Sequence, residues 1–152
     1  MTNLWMTDMP LEAVAINSFD APLMRETKHD GELRERIAKL YKAQNANLGD
    51  LADSEAVMTL FEKAFKRGNV MYVGMFNDKP IAVVGCFDDG QTDTKRLQYL
   101  ALHPENINRG IDAKFIKLVY DKETKKGVRQ FMPADTQIHK IMTEYELIRV
   151  KS

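Results

Sequence analysis

A single cysteine, one tryptophan, five prolines and no surplus of charge of either sign leave this 152-residue chain with few special devices. Lone Cys86 excludes an internal disulfide framework and a zinc site built from several cysteines, and it suits a reducing compartment. Because 22 Lys and Arg balance 22 Asp and Glu, no overall field draws the chain to nucleic acid or to an anionic membrane surface. Any anion must be held by a local site. No window approaches the ~18 apolar residues of a membrane span. Met1 to Pro10 carries Asp8 and lacks the basic segment that opens a secretory leader. The expected location is the cytoplasm. His29, His103 and His139 are scattered, with no ligand spacing around them, so no metal is expected.

What is present is an ordinary globular composition, 44% apolar and 29% charged. A chain of this length buries roughly 70% of its unfolded surface, enough for one core. The expectation is one domain over residues 1–152, with 1–10 as a peripheral segment. Pro10 to Asn17 reads as a first strand and Ser18 to Gly31 as a surface loop. Leu33, Ile37, Leu40 and Tyr41 recur at helical spacing. After the turn chemistry of Asn45 to Asp50, Asp53 or Ser54 caps a second helix with the stripe Val57, Leu60, Phe61, Ala64 and Phe65, ending near Gly68.

The period then changes. Val70 to Phe76 and Pro80 to Phe87 are apolar runs around Asn77-Asp78-Lys79, a hairpin; Leu97 to Leu102 makes a third strand, stopped at His103-Pro104. A helix carrying Ile111, Phe115, Leu118 and Val119 runs to Gly127, followed by a strand over Val128 to Pro133, a short helix over Thr136 to Tyr145 and a last strand over Leu147 to Val150. The Lys-rich run Lys122 to Lys126 reads as a solvated helix face, and Cys86 as a core residue. The fold class this order implies is α/β in three layers: a mixed, partly antiparallel sheet with helices on both faces. Its strand-helix-strand unit from Leu97 to Pro133 is expected to be parallel.

That crossover is the one site the sequence offers. Leu97 to Phe115 runs from a strand through a Pro-containing loop into a helix near Arg109 to Ile111. The first turn of a helix has backbone N–H groups without intrahelical partners, reinforced by the dipole, and can hold a phosphate. Gly110 permits close approach and Arg109 adds a charged donor. The plain alternative is a loop and helix start with no ligand.

Leu97, Leu100, Leu102, Pro104, Gly110 and Ile111 fall on the pattern L-x-x-L-x-V-x-P-x-x-R-G-x-G-I-G, with Arg109 at one of its variable positions, and here the chain resembles the GNAT superfamily of acetyl-CoA-dependent N-acetyltransferases. The element order from Leu11 to Val150 resembles that of the family too. The resemblance implies acetyl-CoA as cofactor. The backbone of Leu100, Ala101 and Leu102 would line the pantetheine arm, and the segment Ile107, Asn108, Arg109, Gly110, Ile111 and Asp112 would face the pyrophosphate. Two positions depart from the pattern. Ile107 stands where the family prefers Arg or Gln, and Asp112, where it prefers Gly or Ala, puts a carboxylate that repels a diphosphate in the first helical turn.

The family's acid is often a Tyr on the last helix, a place taken here by Met142; Tyr145 and Glu105 are the remaining candidates for acid and base work. Tyr72 to Val84, Leu97 to Val119 and Met142 resemble the PanZ (PanM) group, acetyl-CoA sensors that promote the self-cleavage of aspartate 1-decarboxylase. That resemblance implies a non-catalytic acetyl-CoA-binding regulator with aspartate 1-decarboxylase as partner. The alternatives are an N-acetyltransferase acting on an amine, and a GNAT-shaped binding module that holds no CoA.

Overall fold

Residues 11–43, 46–90, 92–106 and 110–147 are described by a computed structural model. Five strands form one sheet in sequence order: β1 (Glu12–Ile16), β2 (Val70–Phe76), β3 (Lys79–Phe87), β4 (Thr94–Leu102) and β5 (Gln130–Pro133). The first four are antiparallel to their neighbours, and β5 lies parallel to β4 as the crossover requires. Among the described residues four α-helices cover it: α1 (Glu32–Tyr41), α2 (Ser54–Lys66), α3 (Ile111–Lys125) and α4 (Thr136–Glu144). The expected mixed sheet with helices on both faces is present.

Strand alternation sorts the apolar side chains into two cores. On one face Met71, Val73, Val83 and Phe87 pack under α1 and α2, with Ile37, Tyr41, Val57, Met58 and Phe61 pointing down. On the other, Tyr72, Val84, Leu97 and Leu100 pack under α3 and α4, against Phe115, Ile116, Val119, Ile138 and Met142. Helix α2 starts where Asp53 accepts the Ala56 N–H at 2.9 Å, and α4 where Asp135 accepts that of Ile138 at 2.8 Å. The β2–β3 turn places Asn77 and Asp78 at φ 52° and 64°, the two-residue hairpin form that matches strand twist.

Several expected boundaries shift. Strand β4 begins at Thr94, three residues before the apolar run, because Thr94 to Leu97 pair with Gln130 to Pro133. Strand β5 begins at Gln130 rather than Val128, whose N–H turns back to the Glu123 carbonyl at 3.1 Å. Within the Lys-rich run Glu123 is buried, not solvated: the Tyr72 hydroxyl donates to its carboxylate and Lys126 Nζ lies 3.2 Å away. Of the expected last strand, 148–150 lie outside the described residues, and Leu147 follows α4 with its N–H on the Met142 carbonyl. Asn45 of the expected turn and the peripheral residues 1–10 also lie outside the description.

A candidate coenzyme cleft between β4 and β5

The pairing of β4 with β5 stops at Leu97↔Pro133. One further bond, from the Ala134 N–H to the Leu97 carbonyl at 3.0 Å, closes the ladder, and the chain then leaves the sheet through Asp135 into α4. Among the described residues, Gln98 to Leu102 have no β5 partner, because β5 ends at Pro133 and the chain turns off into α4, which leaves that β4 edge open at a V.

The divergence coincides with a bulge. On β3, Val83 faces Ala101 and Gly85 faces Gln98, so Val84 alone stands opposite Tyr99 and Leu100. Tyr99 takes φ 63°, a left-handed conformation that an aromatic residue adopts only under constraint. The constraint is visible: the buried Tyr41 hydroxyl donates to the Tyr99 carbonyl at 2.6 Å. Burial pushes the Tyr41 hydroxyl well above its usual range, which keeps it a neutral donor. Gly85 makes room on the neighbouring strand, where a Cβ would lie 2.5 Å from the Phe87 ring and 2.8 Å from that of Phe61.

Past the bulge, the backbone groups divide by alternation. The His103 N–H reaches the Ile81 carbonyl at 2.8 Å and Ala101 faces Val83, so the groups of Leu100 and Leu102 point away from β3, into the V. Leu100, Ala101 and Leu102 are all buried as side chains. What the edge offers is backbone, which suits an extended arm carrying amides. One of these groups already has a partner: the Leu100 carbonyl accepts the Asn47 N–H, from the turn between α1 and α2, at 3.4 Å.

Beyond β4, a short 3-10 turn (Pro104–Asn106) leads toward α3. Ile107, Asn108 and Arg109 lie outside the described residues. Gly110 is the N-cap of α3 at φ 75° and brings no side chain to the helix mouth. Ile111 and Asp112 open the helix, half-buried. Asp112 does not point to open solvent: its Oδ1 accepts the Ala113 N–H at 2.8 Å and its Oδ2 accepts Gln137 Nε2 at 3.4 Å. The carboxylate therefore takes one of the helix-mouth donors for itself. The strand edge fits a pantetheine-like arm, whereas the helix mouth fits a diphosphate only with Asp112 turned off Ala113.

The candidates for proton transfer divide. Met142 is fully buried in the core under α3 and α4, so no proton donor stands at that place. Tyr145 caps α4 with half its surface exposed, and Glu105 is exposed in the 3-10 turn, its N–H on His103 Nδ1 at 3.2 Å. The structure singles out a carboxyl that the sequence pattern passes over. Asp135 stands where β4 and β5 part, and among the described residues its buried Oδ2 has no hydrogen-bond partner in the geometry. Burial raises the Asp135 carboxyl above its ordinary range, against the lowering influence of the Ile138 and Gln137 N–H groups. The signal was its position just past β5 as the cap of α4.

Other chemistry lies elsewhere. Cys86 is buried, and burial together with the Glu123 charge pushes its thiol up, away from the reactive thiolate. An open cavity of about 680 Å³ beside the β2–β3 turn is lined by Arg25, Lys28, Arg36 and Lys79 with Glu32 and Asp78. Two of its acids are already engaged, Asp78 by the Arg25 N–H at 2.7 Å and Glu32 by Arg36 at 2.9 Å. Among the described residues no group of three or more His, Cys, Asp or Glu side chains gathers to hold a metal, and no helix is long and apolar enough to cross a membrane.

With this geometry in view, the chain's fold can be placed. No family model matches the sequence, and no curated protein matches it either. Solved structures do. A protein from Desulfovibrio desulfuricans assigned to the GNAT acetyltransferase family superposes with a TM-score of 0.62 at 10% identity, over 91% of this chain and 83% of that one. Tetrahymena GCN5 gives 0.60 at 14% identity, over 91% and 76%. The aminoglycoside N-acetyltransferase AAC(6')-Iy, solved in complex with CoA, gives 0.57 at 14% identity, over 94% and 93%. The chain has the fold of the GNAT acetyltransferases.

Proposed function

We propose that this chain binds acetyl-CoA in the V between β4 and β5 and acts as a non-catalytic, cytoplasmic regulator through a protein partner, as the PanZ group does with aspartate 1-decarboxylase. One observation carries the coenzyme part: beyond Tyr99 the β4 edge leaves the backbone of Leu100 and Leu102 without a strand partner on the side where β5 has ended. The structure of AAC(6')-Iy with CoA, on the same fold, supports it. The non-catalytic part is supported by Met142, which is sealed in the core where a proton donor would be needed.

A second reading, acetyl transfer to an amine, is favoured by Asp135, a desolvated carboxyl at the apex of the V with the raised affinity for protons that a general base uses. Titration calorimetry with acetyl-CoA, followed by an assay for free thiol with a panel of amines, decides among these. Heat without thiol release is the expected result. Steady thiol release that disappears in Asp135→Asn replaces the regulator by the transferase, and no heat at millimolar ligand leaves a binding module without CoA.

A further inference from the structure

The two points at which the cleft would grip a coenzyme are both held by the chain's own polar groups. At the strand edge, the Leu100 carbonyl receives an N–H from Asn47. The donor is built in: Asn47 Oδ1 accepts the Gly49 N–H at 3.0 Å, Gly49 sits at φ 60°, and Leu48 and Leu51 pack on the core under α1 and α2. A Cβ on Gly49 would lie 3.3 Å from the Tyr99 ring, so this turn is laid directly against the bulge. At the helix mouth, the Asp112 carboxylate receives the Ala113 N–H and the Gln137 amide, which ties the start of α3 to α4.

We propose that the chain occupies its own coenzyme cleft, Asn47 standing in for an amide N–H of the arm and Asp112 for a phosphate oxygen. The inference rests on the acetyl-CoA reading. Each mimic has the donor or acceptor sense of the group it replaces: an N–H on a strand carbonyl, an anionic oxygen on a helix N-terminal N–H. Entry of the coenzyme then requires the Asn47–Leu51 turn to lift from β4 and the Asp112 side chain to rotate. Ligand affinity is lowered by the stability of the closed form, and the turn between α1 and α2 becomes an element that the ligand moves. A protein that reports acetyl-CoA to a partner needs such an element.

Three forms of the full chain test this by calorimetry with acetyl-CoA and by amide hydrogen exchange: the unaltered protein, Asn47→Pro, which removes the N–H, and Asp112→Asn, which keeps the side-chain shape and removes the charge. Asn47→Pro removes the N–H bonded to the Leu100 carbonyl, together with the Oδ1 that accepts the Gly49 N–H, and Asp112→Asn weakens the contact at the helix mouth by making its acceptor neutral. The expected result is about fivefold tighter binding for each, multiplying in the double variant. In the unaltered protein, saturating acetyl-CoA is expected to accelerate exchange of the Asn47 amide. Asp112→Asn is near-isosteric and keeps the test open should Asn47→Pro fail to fold. Equal affinities in all forms, with the Asn47 amide still protected when acetyl-CoA is bound, overturn the self-occupied cleft and leave the coenzyme reading intact. Absence of binding in every form overturns both.

Discussion

The two halves of β4 come from one strand and behave in opposite ways. Thr94 to Leu97 is laddered to β5 throughout, and Arg96 and Leu97 to β3 as well, with Arg96 clamped between Asp89 at 2.7 Å and the Phe87 ring. Gln98 to Leu102 is laddered to β3 alone. Apolar content does not explain the difference, since the free half is the more hydrophobic. The difference is made from the α1 and α2 side of the sheet, where the Tyr41 hydroxyl pins the Tyr99 carbonyl and Gly85 lets Phe61 and Phe87 close over β3. A non-glycine residue in the left-handed region costs on the order of 1 kcal/mol, so the packing beneath must over-determine the bulge. The open edge is thus created by the core behind it.

That comparison can be broken most severely at Gly85. Gly85→Ala drives a methyl into the Phe87 ring at 2.5 Å and the Phe61 ring at 2.8 Å. We expect a loss of about 3 kcal/mol in urea unfolding, at the upper end of overpacking costs. A loss under about 0.5 kcal/mol would mean that the rings move aside freely and do not brace the bulge. Tyr41→Phe is the sharper and smaller change. It leaves the buried Tyr99 carbonyl without its donor, with an expected cost of about 1–2 kcal/mol. Because Leu100 follows the bulge, the Asn47 amide should also exchange faster, while amides of Arg96 and Leu97 in the zipped half keep their protection. Equal loosening of both halves would assign Tyr41 a purely global role.

Most of this fold was legible from local chemistry. The Asn77-Asp78 turn, the Asp53 cap and the helical stripes of Ile37 and Phe61 act within a few residues of themselves, and the elements stand where those signals put them. The bulge was not legible. Leu97 to Leu102 reads as an unbroken strand, and the group that bends it, Tyr41, is 58 residues away in sequence. Thr94 to Arg96 looks like a polar turn because its partners, Asp89 and β5, are found only after folding. Glu123 hides in a run of lysines for the same reason, since Tyr72 decides its burial. Within the candidate site, Gly110 was readable from the strand-to-helix order, and Leu100 and Leu102 only from the family resemblance. The self-contacts of Asn47 and Asp112 depend on side-chain direction, which spacing does not carry.

The smallest expected effect lies at the point where the two halves of β4 part. Asp135 caps α4 through Oδ1, while burial around the carboxyl disfavours its charge and raises its affinity for protons. Ionised Asp135 therefore subtracts from stability. The loss is absent below the ordinary carboxyl value of 3.8, grows as pH rises from there toward the raised value, and is complete above it. Asn is an equally good N-cap and carries no charge. Asp135→Asn should accordingly melt at a higher temperature than the unaltered protein at pH 7, and the gain should vanish near pH 3, where both side chains are neutral. A lower melting temperature at pH 7 would show that the charge is compensated inside the V. In that case the branch point of the sheet is a satisfied helix cap, and the Asp135 carboxyl is no longer a base candidate for the transferase reading.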